Sequence, residues 1–223
     1  MNRKATLGLL VQVLVAFGLG FVGWGLDDPR GFLAHPARAG MLAVALLGLA
    51  ASLLMRLDIQ VFRKDQRPVG RQRWLLPGLM VAGLALMCWL PYADRRSRLT
   101  FGNGDALRYF GLLLYAAGAV LALASLRALG KQYSGYVTLQ KDHQLVQSGI
   151  YGVIRHPIYL RALLVALGLP LVFRSWLVVL LVPLLGLFVA LRIRQEEKLL
   201  AEQFGEEFAA YQRRTWRLVP YVY

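Results

Sequence analysis

IYLRALLVALGLPLVFRSWLVVLLVPLLGLFVAL, residues 158–191, is the stretch that decides the fold. It consists of two apolar runs, 158–173 and 176–191, parted only by Arg174 and Ser175. At 1.5 Å of rise per residue, each arm of about 16 residues reaches about 24 Å, just short of the roughly 30 Å of hydrocarbon in a bilayer. The pair predicts a tight helical hairpin that barely spans. Working back toward the N-terminus, four further apolar runs at 5–26, 39–55, 74–90 and 106–126 have the length a crossing helix needs. The predicted fold is all-α: a polytopic integral membrane helical bundle of about six transmembrane segments, ending in the hairpin and an amphipathic tail helix.

Composition agrees. The 223 residues are 57% hydrophobic and 17% charged, where a soluble domain carries about 25% charge. A mean hydropathy of +0.50 excludes a disordered chain. The single cysteine, Cys88, excludes an internal disulfide and a thiolate cluster, and no His, Cys or acidic spacing points to a metal. Residues 5–26 form a longer apolar run than the 7–15 or so residues of a signal-peptide core and end without a small-x-small site, so they are expected to remain as the first helix.

The formal net charge of +14 follows the membrane and not a nucleic acid, because the basic residues alternate with apolar runs instead of lining one face. With the N-terminus inside, most of the 26 Lys and Arg fall in cytoplasmic segments, which predicts both termini in the cytoplasm. Arg95, Arg96, Arg98 and Arg108, in an outer loop, stand against that count. His35, ahead of Pro36, reads as a turn residue before the second helix.

Chemistry is confined to the part beyond Arg127. Residues 129–159, LGKQYSGYVTLQKDHQLVQSGIYGVIRHPIY, mix glycines, tyrosines and two of the three histidines at the cytoplasmic edge. Glycine admits close backbone approach and tyrosine supplies an apolar wall with a polar tip, so the stretch suits either a ligand pocket or an interfacial loop. Pro157 is placed to start a helix, which holds Arg155 and His156 at its N-terminus. After the hairpin, Arg192-Ile193-Arg194-Gln195-Glu196-Glu197 sets paired carboxylates just outside the bilayer. Arg192 and Glu196 are spaced for a helix-surface ion pair, or the carboxylates accept hydrogen bonds from the amine or ribose hydroxyls of a cationic ligand. Leu200, Phe204, Phe208 and Tyr211 then form an apolar stripe that lies on the bundle or in the headgroup layer, with Glu202, Glu206 and Glu207 on the solvated face.

GIYGVIRHPIY, a hydrophobic hairpin, and then RQEEKLLAEQFGEEFAAYQRRTWRLVP resemble, in order and spacing, the isoprenylcysteine carboxyl methyltransferase family, with phosphatidylethanolamine N-methyltransferases as relatives. The likeness covers about residues 127–220. It divides the chain into N-terminal transmembrane helices, 1–126, and a methyltransferase core, 127–223. It implies a membrane enzyme that uses S-adenosylmethionine at the cytoplasmic face, with a lipophilic methyl acceptor entering from the bilayer. Family cofactor contacts would fall on His143, Tyr151, His156, Tyr159, Glu196 and Glu197. Arg155 and Arg214 become the arginines that position the acceptor or the methionine carboxylate. Arg161 stands where the family commonly has glycine, beside Tyr159 at the expected lipid entrance. The alternatives are a phospholipid amine N-methyltransferase and an NADPH-dependent sterol-type reductase on the same hairpin. Membrane lipids are the remaining partners, and the oligomeric state and acceptor are not legible.

Overall fold

The computed structural model describes residues 3–55, 72–102, 104–130 and 145–222. Among them the chain forms seven α-helices and no sheet: α1 (Arg3–Trp24), α2 (Pro29–Ala34), α3 (Pro36–Leu54), α4 (Gln72–Arg95), α5 (Asp105–Leu129), α6 (Pro157–Val172) and α7 (Leu177–Arg214), with a 3-10 turn at Gly149–Gly152 before α6. All six apolar runs fall on helices. Of these, α3, α5 and α7 are long and apolar enough to cross a membrane, while α6 and Val13–Trp24 of α1 are shorter apolar helices. The chain is an all-α integral membrane protein.

Proline sets three of the starts, because its missing N–H costs nothing in a first turn: Pro29, Pro36 and Pro157 open α2, α3 and α6. His35 caps α3, its Nδ1 accepting from the Ala37 amide at 3.1 Å, as its place before Pro36 suggested. The hairpin is present, but its second arm does not end with the apolar run at Leu191. It continues to Arg214, the 38 residues of α7 forming two helical stretches joined at a kink. The polar stretch after Leu191 is made of good helix formers, so leaving the bilayer breaks nothing. Only Gly205, with left-handed backbone at φ 47°, bends it.

Packing is that of a bundle bathed in lipid. Leu47, Leu113, Val120, Leu180, Leu184 and Leu187 point outward, while Trp24, Phe32, Met41, Leu90, Leu169, Val172 and Phe173 gather inside from α1 to α4 and the end of α6. Glycine brings two helix pairs into backbone contact. A Cβ at Gly168 would stand 2.6 Å from the Gly111 carbonyl of α5, and one at Gly23 only 1.8 Å from the Cys88 carbonyl of α4.

One end of the bundle is tied by charge. The buried Asp94 carboxylate at the end of α4 accepts from Arg38 Nη1 at 2.9 Å, from Arg108 Nη1 and Nη2 at 2.9 and 2.8 Å, and from Arg174 Nε at 2.9 Å. Other donors of Arg38 and Arg108 go to the carbonyls of Phe32, Gly31 and Val172. Arg174 lies in the α6–α7 turn, where Phe101 N donates to its carbonyl and Trp176 N donates to the Leu99 carbonyl. Nearby, Arg95 makes a two-pronged pair with Asp27. Two of the four loop arginines that opposed the topology count, Arg95 and Arg108, therefore have structural partners at this end.

Candidate active site

The other end of α6 carries the motif residues. Residues 153–156 follow the 3-10 turn and meet the returning C-terminal segment at an isolated parallel bridge between Ile154 and Trp216: Trp216 N donates to the Val153 carbonyl at 2.9 Å, Arg155 N to the Trp216 carbonyl at 2.8 Å and His156 N to the Arg217 carbonyl at 3.1 Å. The return is possible because the extension of α7 runs beyond Leu191, bends at Gly205 and comes back. Phe208 and Tyr211 are buried on the way, so those two stripe residues lie on the bundle. The Tyr211 phenol donates to the Tyr151 carbonyl at 2.7 Å.

Three cationic or proton-bearing side chains converge on Glu197. Its Oε1 accepts from Arg155 Nε at 3.3 Å, His156 Nε2 at 3.2 Å and Arg217 Nε at 3.1 Å, and its Oε2 from Arg217 Nη2 at 2.7 Å. Burial pushes the Glu197 carboxyl upward, yet the His156 and Arg217 hydrogen bonds outweigh it and hold the group at about 2. An ionised carboxylate only accepts, so His156 carries its proton on Nε2. Glu196, half-buried, accepts from the Tyr159 phenol at 2.7 Å. Arg192, buried, reaches the same phenol. Tyr159 thus stands between the two residues whose spacing suggested a direct helix-surface pair.

The structure brings together Arg155, His156, Tyr159, Glu196 and Glu197. Tyr151 joins through its carbonyl. Arg214 is exposed at the rim, where its Nη2 meets Gln147 Oε1, while Gln147 Nε2 donates to Glu207 at 2.7 Å. His143 lies outside the described residues. Arg155 is turned into the tail: its Nη1 donates to the carbonyls of Gln212 and Thr215 and to Thr215 Oγ1. Arg161 and Tyr159 lie on different sides of α6. Positions i and i+2 of a helix are about 200° apart around its axis. Tyr159 packs toward Val189, Ile193 and Leu218, whereas the exposed Arg161 follows the α5 side, its carbonyl near Gly118.

Sequence reasoning missed Arg217 and Thr215. Both sit in QRRTWRLVP among other arginines, and no local spacing distinguishes the one that folds back onto Glu197.

Residues 107–207 match the family model described as phospholipid methyltransferase. Over 115 residues the chain is 33% identical to the protein-S-isoprenylcysteine O-methyltransferase of Saccharomyces cerevisiae, covering 50% of this chain and 48% of that one. It is 32% identical over 108 residues to the enzyme of the same name from Schizosaccharomyces pombe, covering 47% and 46% of the two chains. It is also 38% identical over 98 residues to the cobalt-zinc-cadmium resistance protein CzcN of Cupriavidus metallidurans, covering 43% and 45%. The chain spans about half the length of the curated relatives it matches. The resemblance read from GIYGVIRHPIY and RQEEKLL is thereby borne out over this half: residues 107–207, which carry Arg155, His156, Tyr159, Glu196 and Glu197, match the phospholipid methyltransferase family.

Proposed function

We propose that this chain is an integral membrane methyltransferase that uses S-adenosylmethionine to methylate the carboxylate of an isoprenylcysteine-like, lipophilic acceptor. The carrying observation is the closure of the α6 N-terminus, the Glu196-Glu197 pair and the returning tail into one site at the end of the membrane helices. Residues 127–223 form the catalytic core in this reading, with residues 1–126 as its membrane scaffold. In this reading the site and both termini face the cytoplasm, which the Lys and Arg distribution supports.

The donor set fits the cofactor. A half-buried carboxylate steadied by a phenol suits a cationic ligand bearing amine and ribose hydroxyls, and the surrounding arginines suit its carboxylate. When bound, S-adenosylmethionine supplies an electrophilic methyl group on a sulfonium. The chain contributes alignment and exclusion of water. Tyr159 orients Glu196, and His156 and Tyr151 border the same ligand. Glu197, gripped by Arg155, His156 and Arg217, locks the tail over the site. Arg214 at the rim orients the acceptor carboxylate, which is already a nucleophile and loses no proton. Arg155 shares in this through the tail it holds.

An amine acceptor is the second reading, supported by the phospholipid methyltransferase match and by His156, whose Nε2 is engaged by Glu197 so that Nδ1 is the ring atom left to take the proton of an ammonium headgroup. Supplying the reconstituted chain with S-adenosylmethionine and either an S-prenylated cysteine or phosphatidylethanolamine separates the two. A base-labile methyl ester is expected on the first; an N-methylated headgroup would give the second. Calorimetric titration with NADPH in place of S-adenosylmethionine tests the reductase alternative, for which no heat of binding is expected.

A further inference from the structure

The C-terminal tip beyond the site is more apolar than a closing tail requires. Trp216, Val219, Tyr221 and Val222 are 40%, 40%, 88% and 78% exposed, and Trp216 and Tyr221 face each other with ring centroids 5.3 Å apart. Exposed Val153 adjoins them through the Trp216 pairing, and the exposed Arg213 and Arg214 come just before.

Depth says what covers this patch. Trp176, exposed and packed on the Phe101 ring, opens α7 at the far end of the bundle. Counting 1.5 Å per residue up the helix, Val189 lies about 20 Å from it, inside a hydrocarbon layer of about 30 Å, and Ile193, flanked by Arg192 and Arg194, about 25 Å from it, at the edge of that layer. Leu218 packs against Val189 and Ile193. The tail therefore returns, after its excursion to Gly205, to the edge of the hydrocarbon. An exposed tryptophan, tyrosine and two valines at that level, with arginines immediately beside them, have the chemistry of the interfacial belt. A soluble protein partner would have to reach into the headgroup layer to cover them.

We infer that residues 216–222 seat in the boundary between headgroups and hydrocarbon of the chain's own bilayer, with Arg213 at anionic headgroups. Because Trp216 also pairs with residues 153–155, lipid contact and cover of the site belong to one segment, whatever the acceptor proves to be.

The test uses the full chain in nanodiscs of phosphatidylcholine and phosphatidylglycerol, with acyl chains brominated either near the headgroup or near the terminal methyl. Subtracting the emission of Trp216→Phe isolates Trp216 from the other four tryptophans. The expected result is loss of that emission with bromine near the headgroup, little loss with bromine near the methyl end, and protection from iodide in the water phase. Quenching by iodide and not by bromine overturns the inference and leaves the tip to a soluble partner. Hydrogen exchange of the unmodified chain gives an independent reading: amides 216–222 should exchange more slowly in the nanodisc than in detergent, and equal rates contradict the seating. Arg213→Gln should abolish the extra protection that phosphatidylglycerol gives over pure phosphatidylcholine; an unchanged difference removes the anionic-headgroup contact.

Discussion

Two buried carboxylates, one at each end of α6, are each ringed by three basic side chains, and they differ in what else surrounds them. Asp94 is sealed: its side chain is 0% exposed, its arginines are 6–10% exposed, and they come from α3, α5 and the α6–α7 turn. Glu197 is 8% exposed, but Arg217, one of its partners, is 32% exposed and belongs to a tail that reaches the site only by bending back. Beside Glu197 stand a second carboxylate and a phenol, both half-buried. The same ion cluster is a rivet when every partner is part of the bundle. When one partner arrives on a returning segment, it is a clasp around a site.

Substitution at the rivet should have the largest effect. Asp94→Asn leaves three buried arginines against a neutral amide, and removing one partner of a buried ion pair costs about 3–5 kcal/mol. A large fall in thermal midpoint in detergent is expected, and an unchanged midpoint would remove the distinction. Glu197→Gln should act differently: the bundle remains folded while S-adenosylmethionine binding weakens by about 1.5–3 kcal/mol and the amides of 206–217 lose hydrogen-exchange protection. Glu196→Gln is expected to weaken binding by a similar amount with the tail still protected, since Glu196 accepts from Tyr159 of α6. If both glutamine variants bind normally and lose only stability, the clasp is a second rivet.

Acid should separate the two glutamates further. Glu197 is held at about 2, below the 4.3 or so of a free glutamate, so its contribution to tail docking is complete above about pH 4.3 and is lost as pH falls toward 2. Tail protection measured across that window should decline. A flat profile would mean that the carboxylate charge does not hold the tail. The smallest effect is expected of Arg155→Lys, which keeps the charge but loses the fork that spans Glu197 and Thr215. It should lower affinity for S-adenosylmethionine modestly and free the Thr215 end of the tail, without the loss of bundle stability expected at Asp94.

How much of this was legible depends on sequence distance. The hairpin was, because two apolar runs flanking Arg174 and Ser175 leave the chain little else to do. The motif ends of the site were also legible: a proline start fixes Arg155 and His156, and adjacent carboxylates outside a span stand out by composition. The rivet was not. Asp94 meets its arginines 56, 14 and 80 positions away, and the sequence shows only loop cations that spoil a topology count. Nor was the role of Arg217, which rests on the bend at Gly205 and a pairing with residues 153–156 that no helix period encodes. The continuation of α7 past Leu191 was hidden for a simpler reason: hydropathy marks where a helix leaves the bilayer, not where it ends.

The most direct test is transfer of a labelled methyl group from S-adenosylmethionine by the purified full chain in nanodiscs, using an S-prenylated cysteine with a free carboxylate and a prenyl-truncated analogue beside it. The expected result is a base-labile methyl ester on the prenylated acceptor, a much higher KM for the truncated one, and loss of transfer in Glu196→Gln. Absence of any labelled product, with binding of NADPH but not of S-adenosylmethionine, would contradict the assignment of this site to methyl transfer.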